Sequence, residues 1–325
     1  MLRLTSCLLL SSALAAFATV STAPAQAQGA YPSRTIRLVV GFGAGGPTDI
    51  PARFIADKLG PLLGQRIIVE NKPGAAGQIA ARDVLAQPRD GYNLLLCTHF
   101  ESINPALYKR AGFKISDFAP ITQISKYYYG VTLATSLPPK TLDEFFAHAK
   151  ANPGQVHYAS VGAGSVQEIF ARQLGKRASV EFNRVPFKDG ATAMRDLLAG
   201  RVHFFVAPTL SVLPHYQAGK LKILAVTSPE RLPVVPDVPT LTEKGIKFVA
   251  FGWLGVCAAA GTPQPIVALL NRHIASIVNS PGYRALIEKA GSIPISSTPE
   301  ELGKVLLDTQ EQVASTIQEF GMQID

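Results

Sequence analysis

Hydrophobic and polar residues alternate along the chain in a pattern that predicts strands and helices in turn. The β-branched run Thr35–Val40 predicts a strand that ends in glycines, and Asp49–Leu63 carries apolar residues at helical spacing. Further strands are predicted at Arg66–Glu70 and Asn93–Cys97, with a helix at Gln78–Leu85 between them. Because strands separated by helices form parallel pairs with right-handed crossovers, this segment predicts an α/β lobe.

The alternation restarts in the middle of the chain, where Thr141-Leu142-Asp143-Glu144 is a capping box that predicts the start of a helix. Further elements then follow in turn: strands at 156–160, 183–186, 203–207 and 221–226, and helices at 165–174, 190–199 and 211–218. A second α/β lobe is therefore expected.

The end of the chain is predicted to be helical after a last strand at 248–257. Its helices are predicted at 265–279, at 281–290 and after a cap at Thr298. A tail without strands needs the sheet of another lobe to pack against. We therefore expect two lobes: residues 28–128 with 252–325, and residues 129–251. Crossing segments near 127–135 and 250–256 would form a hinge beside a cleft.

Length and charge narrow the possible functions. The chain has 325 residues, with 31 Lys and Arg against 23 Asp and Glu and a formal net charge of +8. This length favours two domains over one core. The sequence contains no run of Lys or Arg of the kind that contacts a phosphate backbone, so nucleic acid is not predicted as a partner. The small excess of positive charge favours anionic small molecules.

Residues 1–27 have the three zones of a secretory signal peptide, which predicts export to the periplasm. Arg3 provides the positive start, Leu8–Val20 is an apolar run, and alanines follow at positions 23, 25 and 27. The apolar run is too short for a convincing membrane span.

The mature chain would retain Cys97 and Cys257, both in strand-like apolar runs. Buried free thiols are the commoner outcome at such positions, although an exported chain also allows pairing. No His/Cys cluster has zinc spacing, so no metal is predicted.

The segment Gly41-Phe42-Gly43-Ala44-Gly45-Gly46 matches G-x-G-x-x-G after the first strand, and Glu70 ends the next strand where a ribose-binding acid would lie. One interpretation is an exported NAD-dependent dehydrogenase. Nicotinamide cofactors are scarce outside the cytoplasm, Asp49 would stand near the pyrophosphate, and no His, Tyr or Lys constellation for hydride transfer stands out. No cofactor is therefore predicted.

In the other interpretation, the same glycine loop binds a small anion instead of a dinucleotide. Glycines allow backbone N–H groups to approach a guest, and a helix N-terminus adds partial positive charge. Several such helix ends that converge on one cleft can hold a carboxylate without an arginine.

Many short motifs in order resemble the receptors of tripartite tricarboxylate transporters, the Bug-type periplasmic solute-binding proteins. They are Tyr31–Val40, Gly45–Asp49, Val69–Gly77, Asp90–Tyr92, Ile103–Tyr108, Leu213–His215, Ala218–Leu221, Leu224–Ser228, Pro236–Thr240 and Gly261–Pro263. The resemblance spans essentially the whole mature chain. It implies an α/β, type II-like two-lobed flytrap in which each lobe is a mainly parallel sheet flanked by helices.

The resemblance also implies a function. Such a receptor captures a small carboxylate and delivers it to integral-membrane transporter subunits, and we expect a monomer without enzymatic activity. In the family, backbone amides and waters from two loops hold the carboxylate; the loops correspond to Phe42–Asp49 and Ser160–Ser165. Both join the carboxyl end of a strand to the start of a helix, where the fold class places ligands.

The candidate substrate-binding residues follow from these loops and from the strands beside them. They are Phe42, Gly43, Ala44, Gly45, Gly46, Thr48, Asp49, Thr98, His99, Ser160, Gly162, Ala163, Gly164, Ser165, Phe187, Ala207 and Trp253. Thr48 and Asp49 are also good helix N-caps, and capping is the favoured interpretation; for Ser165 the two roles are balanced.

Several residues depart from the family pattern. His99 and Glu101 occupy a stretch that usually has small residues, and they would either recognise a polar or nitrogenous end of the ligand or form a solvated loop. Phe187 replaces the usual Tyr, and Ala207 replaces a common Asp. Tyr127-Tyr128-Tyr129 would either pack in the hinge, which is favoured, or stack on a flat ligand. Together these changes favour an aromatic or partly apolar acid.

Overall fold

The structure, a computed structural model, describes residues 31–161 and 165–320. The predicted signal peptide and Gly162, Ala163 and Gly164 lie outside the described residues. The strands are Ile36–Val40 (β1), Ile67–Asn71 (β2), Asn93–Thr98 (β3), Phe118–Ala134 (β4), His157–Ser160 (β5), Asn183–Pro186 (β6), Phe204–Pro208 (β7), Leu221–Val226 (β8), Phe251–Ala259 (β9) and Ile293–Pro294 (β10). The helices are Asp49–Leu63 (α1), Gln78–Leu85 (α2), Phe100–Leu107 (α3), Leu142–Ala151 (α4), Val166–Ala178 (α5), Gly190–Leu198 (α6), Thr209–Gln217 (α7), Gln264–Val278 (α8), Pro281–Lys289 (α9) and Pro299–Phe320 (α10).

The strands pair in the order β2-β1-β3-β9-β4-β7-β5-β6, and β8 and β10 also pair with β4. On the β2 side, β1 is parallel to β2 and β3, and β9 is antiparallel to both β3 and β4. On the β6 side, β5 is parallel to β6 and β7, and β4 is antiparallel to β7 and β8. Four strands therefore share one direction on each side, which confirms the predicted mainly parallel sheets.

The strand β4 is 17 residues long and serves both sheets. It pairs with β9 as far as Tyr128 opposite Phe251, and with β7 from Tyr129 opposite Pro208. The predicted crossing segments lie at this exchange of partners. The chain thus passes from one sheet to the other without leaving regular strand structure.

Local sequence signals located most elements. The observed bounds of α1, α2, β6 and β8 are the predicted ones. The helix α3 was not predicted, because Pro105 inside it argues against a helix. The tail is also not free of strands, since Ile293 and Pro294 pair with Lys126 and Ser125 of β4.

Cys97 and Cys257 form a disulfide, so the prediction of buried free thiols is wrong. Leu95 lies opposite Cys257 and Cys97 lies opposite Gly255 in the antiparallel pair of β3 and β9. This register brings the two cysteine Cα atoms to 5.8 Å, within the usual range for a disulfide. The cysteines are 160 residues apart in sequence, so only the sheet register brings them together.

The helical tail packs on the first sheet. Helices α8 and α10 pack on β4, and the Tyr283 hydroxyl of α9 donates to the Ile124 carbonyl at 3.1 Å. Leu302 and Leu306 of α10 form a buried cluster with Trp253 of β9. The two ends of the chain therefore share one core, and the β1 and β3 ends that carry the candidate site rest on it.

Candidate functional site

The glycine loop, residues 41–48, joins the carboxyl end of β1 to α1 and is held in shape by Asp49. One oxygen of this carboxylate, Oδ2, accepts from the Gly45 amide at 2.8 Å and from Arg53 Nε at 2.7 Å. The other, Oδ1, accepts from Asn71 Nδ2 at 2.8 Å. Burial by itself would raise the pKa of Asp49, but the hydrogen bonds from Arg53, Gly45 and Asn71 outweigh it and hold the pKa below its ordinary value.

The prediction that Thr48 and Asp49 cap α1 through their side chains is wrong. Thr48 lies at the N-cap position, but its side chain makes no capping hydrogen bond, and its buried Oγ1 has no partner among the residues that the structure describes. Asp49 is the first helical residue and bonds back to the loop instead of forward into the helix. Asp49 therefore holds the loop, and the buried Thr48 hydroxyl beside it does not cap the helix.

The tip of the glycine loop is open to solvent. Gly43, Ala44 and Gly45 are exposed. The Gly45 amide is occupied by Asp49, whereas the amides of Gly43 and Ala44 have no acceptor in the part of the chain that the structure describes. The loop can thus offer two adjacent main-chain donors to an anion, next to the positive end of the α1 dipole.

The second loop leads from β5 to α5. Ser165 caps α5 by accepting from the Glu168 amide at 3.3 Å, which settles its capping role. The Glu168 carboxylate, 3% exposed, forms ion pairs with Arg172 and Arg184, both at 3.0 Å. The Ser160 hydroxyl donates to the same carboxylate at 3.4 Å. These arginines are engaged by a protein carboxylate, so they are not free cations for a guest.

At the end of β3, Thr98 is bound to the buried Glu101 of α3. The Thr98 amide and hydroxyl donate to Glu101 Oε2 at 2.6 and 3.0 Å. Burial raises the pKa of Glu101 to about 7, although the hydrogen bonds from Thr98 act in the opposite direction. The interpretation of residues 99–101 as a solvated loop is therefore wrong, since His99 is 4% and Glu101 2% exposed.

His99 lies at the centre of a cluster of aromatic rings. Its Nδ1 is 3.4 Å from the Tyr127 hydroxyl oxygen, and its Nε2 is 3.5 Å from that of Tyr129. Burial lowers the pKa of His99 to about 3, against a hydrogen bond with the Trp253 backbone that raises it. The imidazole is therefore neutral at physiological pH. Tyr129 extends the cluster to Phe170 of α5, with ring centroids 5.1 Å apart, so the cluster spans the two sheets.

Phe42 connects the glycine loop to the end of β3. Its ring centroid is 5.6 Å from that of Phe100. A Cβ atom on Gly77 would lie 3.6 Å from Glu101 Oε1 and 3.8 Å from the Phe42 ring. The structure thus brings together the predicted residues Phe42, Thr98 and His99 on one side of the molecule.

The remaining predicted residues lie elsewhere. Ala207 is fully buried in the hydrophobic cluster of the second sheet, and Trp253 is fully buried against α10, where its indole N–H donates to Thr309 Oγ1 at 3.1 Å. The prediction that these two side chains face a ligand is therefore corrected to a role in the cores. Phe187 is partly buried on the second-sheet cluster, and its amide donates to the Ser160 carbonyl at 2.7 Å.

Sequence reasoning missed several polar residues near the loops. Ser102 Oγ, Asn104 Oδ1 and Gln167 Oε1 are buried without a partner among the described residues. Ser102 and Asn104 both lie on α3. The apolar spacing of Phe100, Ile103 and Leu107 could have predicted this helix. No local pattern identifies Gln167, because its burial depends on packing.

Glu70, the acid that the dinucleotide interpretation would place on a ribose, is bound to basic residues of the protein. Glu70 Oε2 accepts from Arg37 Nε and Nη2 at 2.9 and 2.6 Å, and Lys72 lies 3.4 Å from its other oxygen. Hydrogen bonds from Arg37 lower the pKa of Glu70. Its carboxylate is therefore held by neighbouring cations of the protein.

Two mainly parallel sheets that share the crossing strand β4, with a glycine loop where β1 meets α1, are the architecture of a two-lobed binding protein. The sequence matches the family described as Tripartite tricarboxylate transporter family receptor over residues 51–322, and the chain belongs to this family. The family consists of solute-binding receptors and is not an enzyme family.

Solved structures confirm the resemblance. The periplasmic binding protein BugD aligns with a TM-score of 0.84 and 32% identity, covering 90% of this chain and 99% of BugD. Rpa4515 of R. palustris with adipate has a TM-score of 0.82 and 30% identity, over 88% of this chain and 98% of its own. MatC of Rhodopseudomonas palustris with bound malate has the same TM-score and identity, over 88% and 100%. Among the described residues, no helix combines the length and apolar character needed to cross a bilayer.

Proposed function

We propose that the protein is a periplasmic receptor that captures a small carboxylate between its two lobes and delivers it to the membrane subunits of a tripartite tricarboxylate-type transporter. Residues 1–27 would direct export, and the receptor would act as a monomer. The lobes would be residues 28–128 with 252–325, and 129–251. The exchange of β4 partners between Tyr128 and Tyr129 supports this division.

The observation that carries the proposal is the pair of exposed amides at Gly43 and Ala44. They lie where β1 ends and α1 begins, the place where α/β folds bind ligands. A helix end contributes about 0.3–1 kcal/mol to anion binding, and up to about 2 kcal/mol when partly buried. Asp49 and its partners keep the loop in one conformation, so little ordering entropy is lost on binding.

Closure of the lobes would complete the site. The ring of Tyr129 already contacts Phe170 across the two sheets, and Phe170 contacts Phe248 with centroids 4.7 Å apart. A guest that contacts both loops binds the closed form more tightly than the open form and shifts the equilibrium toward it. The transporter subunits would then recognise the closed receptor.

The ligand would be a carboxylic acid with an aromatic or partly apolar body. The rings of Phe42, Phe100 and Tyr127 lie together at the first sheet, Tyr129 adjoins them where β4 enters the second sheet, and His99 among them is neutral. Two relatives with bound adipate and malate show that carboxylates of different polarity occupy this fold. A panel should therefore include dicarboxylic and aromatic acids.

Thermal-shift screening of the mature protein against mono-, di- and aromatic carboxylates, followed by calorimetric titration, tests the proposal. A ligand at 100 times its Kd stabilises the folded state by about 2.7 kcal/mol, which such a screen detects. Ala44→Pro removes one loop amide and should weaken binding about tenfold or more, the value of a hydrogen bond to a charged group. Gly190→Pro is the matched control, because it places proline at the exposed first residue of α6, where proline is well tolerated. Absence of any response to the carboxylate panel would refute the proposal.

A further inference from the structure

Glu101 is a buried carboxylate without a cationic partner. It is 2% exposed, and no Lys or Arg within residues 31–161 and 165–320 forms an ion pair with it. Thr98 donates twice to its Oε2. Its Oε1 lies beside Gly77, where a Cβ atom would be 3.6 Å from it. By contrast, the other buried carboxylates near the loops, Asp49 and Glu168, are each neutralised by arginine.

Asn104 lies one turn after Glu101 on the same face of α3. Its Nδ2 donates to the Ala76 carbonyl at 3.1 Å, and its Oδ1 is buried with no partner among the described residues. Asn104 is 1% exposed. The loop above it contains Ala75 and Ala76 at φ values of 47° and 51°, a left-handed conformation that is strained for residues other than glycine. Strained backbone of this kind is concentrated at ligand-binding sites.

In α3, the buried side-chain oxygens without a partner among the described residues are Ser102 Oγ and Asn104 Oδ1. The Asn104 oxygen can only accept a hydrogen bond, because its amide nitrogen is committed to Ala76. A guest that carries carboxylates alone offers no donor to this oxygen and adds negative charge next to Glu101. A guest with an N–H group can donate a hydrogen bond to the Asn104 oxygen and another to the Glu101 carboxylate.

We propose that Glu101 and Asn104, here called the α3 subsite, bind an amino group of the ligand, so that the receptor prefers amino-substituted carboxylates. The inference rests on the proposed function, since the glycine loop would hold the carboxylate of the same guest. β1 and β3 are adjacent parallel strands, so the glycine loop and Thr98–Glu101 leave the sheet side by side. Neighbouring strands are about 4.8 Å apart, a separation that a small amino acid can span.

Matched ligand pairs test the α3 subsite: aspartate against succinate, and 4-aminobenzoate against benzoate. Each pair differs by one amino group. The parent protein should bind the amino-substituted member of at least one pair about tenfold or more tightly, as expected for a hydrogen bond to a charged acceptor. With binding measured at pH 8, where the Glu101 carboxylate is ionised, Glu101→Gln should remove most of this preference and improve succinate binding, because it removes the negative charge without changing the shape. Glu101→Asp should retain part of the preference.

Asp83→Asn is the matched control, because it removes a carboxylate that Arg37 and Lys72 already neutralise. Its ligand preference should equal that of the parent. If Glu101→Gln does not fold by circular dichroism, Asn104→Ser decides, and it should also reduce the preference. Equal or tighter binding of the unsubstituted acids by the parent would overturn the inference and leave the proposed function intact. Failure of all four acids and of the wider carboxylate panel would overturn the proposed function itself.

Discussion

The pH dependence of stability should reveal Glu101 and His99 as a pair with opposite effects. Burial raises the pKa of Glu101 from 4.5 to about 7 and lowers the pKa of His99 from 6.5 to about 3. In the folded protein between pH 4.5 and 6.5, the carboxyl is protonated and the imidazole is neutral. In the unfolded chain over the same range, the carboxyl is ionised and the imidazole is protonated.

The sign of each contribution follows from proton binding. The stabilising contribution of Glu101 is present below pH 4.5 and is lost as pH rises toward 7, because the unfolded chain releases the proton more readily. The contribution of His99 is present above pH 6.5 and is lost as pH falls toward 3. Each changes the free energy of unfolding by about 1.4 kcal/mol per pH unit, so each amounts to about 3 kcal/mol between pH 4.5 and 6.5. In the parent the two contributions cancel over this range.

Single substitutions should expose each contribution. On lowering the pH from 6.5 to 4.5, Glu101→Gln should lose about 3 kcal/mol of unfolding free energy relative to the parent, because only His99 remains. His99→Gln should gain about the same amount. The measurement is urea unfolding followed by circular dichroism at several pH values, with the parent subtracted so that the other titrating groups cancel. If both variants follow the parent curve, then neither group is desolvated in the folded protein and the reasoning is refuted.

Three further predictions concern stability. Cys97→Ala with Cys257→Ala should lower the free energy of unfolding by up to about 5 kcal/mol, since the disulfide closes a loop of 160 residues. Denaturation of the parent with and without dithiothreitol checks this, and an unchanged midpoint would contradict it. Gly252→Ala should destabilise by about 1–3 kcal/mol, because a Cβ atom there would overlap the Tyr127 ring, and the same change made in a Tyr127→Ala chain should cost less. Thr309→Val should cost about 1–2 kcal/mol and alter the fluorescence of the single tryptophan, whose buried N–H loses its acceptor; no change in either measurement would place that indole in solvent.

Much of the fold could be predicted from local patterns. The helix α1 was placed at its observed bounds because its apolar spacing and Gly64 at its end are local signals, and Gly64 indeed adopts a φ of 67°. The packing of α8 and α10 on β4 was expected from a helical tail that has no large sheet of its own to cover. The glycine loop was located because it joins a predicted strand to a predicted helix.

The details of the site could not be predicted in this way, because they depend on residues far apart in the sequence. Asp49 looked like a helix cap, yet Asn71 and Gly45 draw its carboxylate back over the loop. For His99 the sequence left ligand recognition and a solvated loop equally open, but the residue is buried beside the rings of Tyr127 and Tyr129.

The order of elements and the position of the glycine turns are encoded in short stretches of the chain, because hydrophobic periodicity and turn residues act over a few residues. The pairing of Cys97 with Cys257 and the protonation states of Glu101 and His99 are not encoded locally. They arise because strand register aligns distant residues, and because burial replaces water around an ionisable group with apolar protein. Both effects exist only once the sheets have formed and the helices cover them.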